Sequence, residues 1–200
     1  MVVDRAFVEA EKSFQGHSFE RLDLTGVDLS RKDFTQCVFR GTTLHATVWK
    51  GAALEDCVFD RCDLANLRFT GVKLSGVELK DSKLIGSSWS DLGTGPQVSF
   101  SDCAMRYVSF ASINLRSTKF TRCSLVEATL VDIDFSKAIF KDCDFSKTLF
   151  EHCQLAAADF STSSGLYFDT AKNRAKGTRV PVETAALIAS ALGLIVSGYD

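Results

Sequence analysis

At 200 residues, with 46% apolar and 24% charged side chains, the chain has the composition of one soluble domain able to bury a continuous core, which excludes a disordered or membrane-spanning protein. Its longest apolar runs, such as Leu194-Ile195-Val196, fall far short of the roughly 20 residues that a membrane-crossing helix needs. Twenty-five acids against 23 bases leave a net charge of -2 that demands no phosphate-binding surface, and seven cysteines without a secretory leader point to thiols kept reduced in the cytoplasm.

Residues 1–13 carry Asp4, Glu9 and Glu11 among apolar residues, which is not the make-up of a signal peptide, and they are expected to form an N-terminal cap. From Phe14 a large apolar residue then stands at every fifth position: Phe19, Leu24, Leu29, Phe34 and onward to Trp89, sixteen in succession. The series resumes one residue out of frame at Phe100 and runs thirteen times to Phe160. A period of five fits neither the 3.6 of a helix nor the 2 of a strand; a chain that turns every five residues satisfies it.

Two residues before each large residue runs a second inward column, which from Cys37 onward holds small or β-branched residues, with Leu67 the large one. All seven cysteines stand in it: Cys37, Cys57, Cys62, Cys103, Cys123, Cys143 and Cys153. Stacking would bring the Cα atoms of Cys37 and Cys57, and of Cys103, Cys123 and Cys143, within disulfide range, but a linear ladder does not converge on a tetrahedral ion, so the cysteines are read as small buried hydrophobes. Lys12, His17 and Lys32 break the column near its start, as an imperfect first turn would.

His17, His45 and His152 fall at different places in the repeat, so no triad or metal cluster forms from them; Trp49 and Trp89 sit in the large column and fill the core. Carboxylates such as Asp23, Asp28, Asp63, Asp134, Asp144 and Asp159 precede the large residue and are expected to be solvated or to bond the adjacent turn. No nucleophile elbow, phosphate loop or metal motif appears, so no catalytic, cofactor-binding or metal-binding residue is assigned and the protein is not read as an enzyme.

Between Trp89 and Phe100 the segment Ser90, Asp91, Leu92, Gly93, Thr94, Gly95, Pro96 and Gln97 has the composition of a turn, and a loop over residues 90–99 is expected to bulge from mid-rod. It is either a tolerated one-residue insertion or a partner-binding loop, and the extra residue either bulges within a turn or belongs to a loop that replaces one side. After Phe160 a different segment, residues 161–200, begins. Pro181 marks a helix start, Leu187, Ile188, Ala191 and Leu192 give an apolar pattern over residues 182–192, Gly193 stops it, and Leu194, Ile195 and Val196 read as a short strand. This segment either caps the rod or joins two protomers.

Runs such as Cys62-Asp63-Leu64-Ala65-Asn66 and Ala158-Asp159-Phe160-Ser161-Thr162 resemble the A-(D/N)-L-x-x motif of pentapeptide-repeat proteins, over residues 14–160. The resemblance implies an all-β fold: a right-handed quadrilateral parallel β-helix with four pentapeptides per turn, residues twenty apart stacked, and a rod of about seven turns and on the order of 35 Å. The tail, with its helix and GLIVSG ending, resembles the topoisomerase-protecting Qnr, MfpA, McbG and AlbG group. That resemblance implies a DNA-mimicking rod, homodimeric through its C-terminal end, which guards DNA gyrase, or topoisomerase IV beside it, against drugs or peptide toxins as a resistance or immunity protein. The contacts would be the loop at 90–97 and Leu187, Ile188, Ala191, Leu192, Leu194, Ile195 and Val196, with no direct nucleic-acid binding, no membrane and no cofactor. Residues 14–89 hold ten acids and ten bases and residues 100–160 eight and seven, so mimicry would rest on local arrangement. The alternative is an interaction scaffold unrelated to topoisomerases.

Overall fold

The computed structural model describes residues 3–93 and 95–197. The chain closes a four-sided coil whose successive turns pair in parallel, Phe14 beside Phe34 and Phe19 beside Phe39. The first side carries four strands, from Ser13–Gln15 to Lys73–Ser75; the second carries seven, from Ser18–Glu20 to Ile139–Lys141; the fourth carries five, from Arg68–Thr70 to Leu149–Glu151. The third side is held by single bridges linking Asp23, Thr43, Asp63, Lys83 and onward to Ser164.

Five residues make one side because three of them form a short strand with only the middle one inward, and the next two turn the corner. The residue two past each large one takes the left-handed conformation, as Gly26, Arg31 and Asn66 do at φ 70°, 56° and 55°. Among the described residues, twenty-one non-glycine positions have positive φ and none is β-branched, as the crowding of a left-handed Cβ requires. Inside, like packs on like: Phe19, Phe39 and Phe59 stack with ring centroids 4.5 and 4.6 Å apart. The buried indoles of Trp49 and Trp89 donate at 2.9 Å to Thr47 Oγ1 and Ser87 Oγ, which explains the hydroxyls two residues earlier in a buried column.

All seven cysteines are free and buried. The Sγ of Cys62 lies 3.3 Å from the Phe39 carbonyl and that of Cys153 the same distance from Leu130, and burial pushes both thiols up to about 11, which suits filling rather than reactivity. The carboxylates before the large residues are exposed or half-buried, as expected, and they also serve their own corner. Those of Asp23, Asp28, Asp63, Asp134, Asp144 and Asp159 accept the backbone N–H two residues ahead, at 2.8–3.0 Å, and Asp159 also meets Arg179 of the adjacent turn at 3.6 Å. That N–H comes after the large residue at the start of the corner, so a short carboxylate reaches it locally. The Ser30 and Ser161 hydroxyls and amides hold Asp28 and Asp159 below the usual carboxylate range.

The N-terminal end is closed by α1 (Arg5–Ala10), capped by Asp4 Oδ1 accepting from Phe7 N at 2.8 Å, with Val8 fully buried on the first turn. Lys32, an intruder in the small column, is itself buried and donates to the Glu9 carbonyl at 3.1 Å and to that of Glu11, satisfying acceptors at the end of α1. Lys32→Met is expected to cost about 1–3 kcal/mol, since two carbonyls at the end of α1 lose a charged donor. Urea titration would read the loss, with faster hydrogen exchange at the Val8 and Glu11 amides showing that α1 has loosened.

At the other end the ladder runs past Phe160: Gln154 pairs with Arg174 and Asp159 with Arg179. Asn173 continues the inward column, donating to the Phe150 and Asp169 carbonyls and accepting from Cys153 N. Then α2 (Val182–Ala191) begins directly after Pro181. It ends at Gly193, φ 80°, with Gly193 N bonded to Ser190 O and Leu194 N to Ala189 O, the paired bonds of a glycine C-terminal motif. Leu194, Ile195 and Val196 form no strand, contrary to the sequence expectation: the Leu194 amide is taken by the helix stop, and among the described residues Ile195 and Val196 make no backbone ladder bond.

Candidate functional site

The interruption lies on the first side. Trp89, on the strand Ser88–Ser90, pairs with Phe69 and Phe110 on the fourth side, while Phe100, on Val98–Ser101, pairs with Leu79 and Phe120 on the second. The eleven-residue step therefore skips the first side, and the extra residue belongs to a loop that replaces one side of one turn. The strands of that side stop at Lys73–Ser75 and its bridges resume only at Asn114 with Asp134.

Among the residues assigned to partner binding, Leu92 and Pro96 are buried; Leu92 stands where the small inward column would continue. Asp91, Gly93, Gly95 and Gln97 are exposed, Ser90 is half-buried, and Thr94 lies outside the described residues. The loop is held at its far end by Gln97 N on Leu74 O and Val77 N on Gln97 O, both 3.0 Å, and at its near end by Gly71 N on Ser90 O at 3.3 Å. Asp91, Gly93 and Gly95 take positive φ, so its course depends on residues that tolerate that conformation. A groove of about 350 Å³ opens at its exit between Pro96, Gln97, Glu78 and the next turn's Arg116 and Lys119. Arg116 and Lys119 escape a sequence reading because a loop of unknown course hides which side they join.

At the C-terminal end α2 buries Thr184 and Ala186, and Thr184 Oγ1 donates to Leu166 O at 3.0 Å. Of the residues assigned to a dimer contact, Ile188 and Val196 are half-buried, and Ala191 is exposed together with Leu187, Leu192, Leu194 and Ile195, the last at 95%. Among the described residues no group of three or more His, Cys, Asp or Glu side chains could hold a metal, and no helix is long and apolar enough to cross a membrane.

The faces mix both signs. Arg40 spans Glu20 at 3.3 Å and Asp60 at 3.2 Å, Arg122 grips Asp102 through two bonds of 2.6 and 2.7 Å, and Arg106 lies 3.6 Å from Glu127. Acids are in this way neutralised across turns, and no side of the described coil is uniformly acidic.

Family models agree with this geometry on either side of the loop. "Pentapeptide repeat region" matches residues 12–89, and "Pentapeptide repeats (8 copies)" matches residues 99–136 and 130–164. The chain belongs to the pentapeptide-repeat family. The gap between the two matches coincides with the loop that replaces one side. No curated protein matches the chain. Among solved structures, full-length QnrB1, a plasmid-mediated fluoroquinolone resistance protein, superposes with a TM-score of 0.66 at 19% identity, over 96% of this chain and 94% of that one. A trypsin-treated form of QnrB1 superposes at 0.51 with 21% identity, over 92% and 89%. The fold, a parallel pentapeptide solenoid with a C-terminal helix, is thus of the Qnr type.

Proposed function

We propose that the protein acts by binding, without catalysis, and that its partner is a type II topoisomerase, DNA gyrase first, which it protects from a poison in the cytoplasm. The observation that carries this reading is the end-to-end correspondence with QnrB1, a resistance protein, including the helix after the coil. In support, the large inward column is filled by Phe, Leu and Trp along the whole rod, which leaves no interior pocket for a substrate. The exposed residues of the loop, Asp91, Gly93, Gly95 and Gln97, would make the contact. Leu187, Leu192, Leu194 and Ile195 would join two protomers end to end, since exposed apolar clusters of this kind mark association surfaces.

Protection of this kind would rest on a rigid rod occupying the enzyme, not on a continuous acidic stripe. The mixed charge of the faces favours a second reading, a rod-shaped interaction scaffold with no topoisomerase role. Gyrase supercoiling assays with a quinolone, and separately with a peptide poison, decide between them when the protein and a variant lacking residues 93–96 are titrated. Restored supercoiling with less cleaved DNA, lost in the variant, is the expected outcome. No restoration with either poison would leave the scaffold.

A further inference from the structure

The corner between the first and second sides changes sign along the rod. Before the loop it carries Glu55, Asp56 and Glu78; after it, the same corner carries Arg116, Lys119, Lys137, Lys176 and Arg179, all exposed. The coil stacks these groups. Ser117 N bonds Ser136 O, Lys137 N bonds Ala156 O and Ala157 N bonds Lys176 O down the corner, while Lys119 pairs with Ile139 and Ile139 with Asp159, which pairs with Arg179. Arg179 lies 3.6 Å from Asp159, but the other four cations make no ion pair among the described residues, unlike the arginines of the neighbouring corner. Of the other acids nearby, Glu78, which shares the groove with Arg116 and Lys119, is paired with Lys80, and Asp134 is engaged by its own Ser136 amide.

We propose that this edge of the C-terminal half docks the phosphate backbone of duplex nucleic acid. Three observations point to that occupant over an acidic protein. Arg116 and Lys176 lie in one column three turns apart, about 14 Å at roughly 4.8 Å per turn, so the charges form a rigid line that spans about four phosphate steps of roughly 3.4 Å. The residues between them are small, Ser117, Ser136, Ala156, Ala157 and Gly177, and let a smooth polyanion approach. Ile139 is the one large apolar side chain exposed on the edge, too little for the apolar centre of a protein interface, whereas nucleic-acid surfaces are polar and positively charged. Nothing on the edge is arranged to read bases, so binding is independent of sequence. The proposal stands apart from topoisomerase protection and needs no loop contact.

The test is fluorescence anisotropy of a labelled 20-base-pair duplex titrated with the full chain between about 50 and 200 mM salt. Four phosphate contacts predict a log–log slope of about -3.6 and a dissociation constant in the range of about 10⁻⁴ to 10⁻⁶ M at physiological salt. The triple variant Lys119→Glu, Lys137→Glu, Lys176→Glu is expected to lose at least about tenfold in affinity. Lys50→Glu, Lys83→Glu, Lys147→Glu makes the same change in net charge on other sides and is expected to stay within about twofold of the parent. Absence of binding, or equal losses in the two triple variants, overturns the edge as the site. Tighter binding of polyglutamate than of the duplex overturns nucleic acid as its occupant.

Discussion

Phe120→Ala is expected to lower the unfolding free energy by about 3–5 kcal/mol, the range for emptying an aromatic site in a packed core. Phe120 is fully buried, with its ring stacked 4.8 Å from Phe100 on one side and 4.8 Å from Phe140 on the other, at interplanar angles of 8° and 17°, and Phe135 meets it edge-on at 6.2 Å. The walls cannot close on the vacancy, because the strand Lys119–Thr121 is bonded on both edges, to Val98–Ser101 and to Ile139–Lys141. A collapse that relieves a cavity elsewhere would here break two ladders. In a coil stabilised by contacts between successive turns, the damage also weakens one junction within the rod, so the two ends should part company on unfolding. Urea titration followed by circular dichroism is the measurement, with exposed Lys119→Ala expected within about 0.5 kcal/mol of the parent. A cost below about 1 kcal/mol for Phe120→Ala would contradict the continuous aromatic stack.

Gly165→Ala is expected to cost about 2–4 kcal/mol, from a left-handed backbone and a clash that has nowhere to go. Gly165 sits at φ 65°, and a Cβ there would lie 2.6 Å from Ser146 N and 2.8 Å from Ser146 Cα. Those are backbone atoms fixed by the turn below, where Phe145 N bonds Ser164 O at 2.9 Å, so they cannot swing aside as a long side chain would. Gly26 supplies the comparison: it has φ 70° with nothing within 4 Å of a Cβ, so Gly26→Ala should cost only about 1 kcal/mol. Equal effects at the two sites would show that conformation alone matters and that the contact with Ser146 does not. Gly165 also leads into Leu166, whose carbonyl accepts from Thr184 on α2, so the variant should release the C-terminal helix to protease before the rod unfolds.

Much of this architecture was legible because a five-residue corner writes its demands into every repeat. The large column, the small column with all the cysteines, the loop after Trp89, the helix after Pro181 and its stop at Gly193 each reflect the demand on a side chain at its own position. Hydroxyls at Thr47 and Ser87 were visible too, although their service to the indoles of Trp49 and Trp89 was not, since that bond depends on how two inward residues of one strand lean together.

What only the tertiary structure decided are relations between turns. Lys32 looks like a flaw in the inward column until α1 is seen to end above it with carbonyls to satisfy. The pairing of Gln154 with Arg174 and Asp159 with Arg179 carries the coil beyond Phe160, where Ala175 and Val180 stand in place of large residues, because a parallel ladder is made of backbone groups and needs no particular side chain. The apolar run Leu194-Ile195-Val196 has strand composition, but the Leu194 amide closes the helix stop and the run joins no ladder, so it stays irregular. Periodicity alone determined the coil, since each inward residue answers to its own corner. The side lost to the loop, and with it the alignment of Arg116, Lys137 and Lys176 along one edge, depended on how far the chain rotates between Trp89 and Phe100, which only the paired turns record.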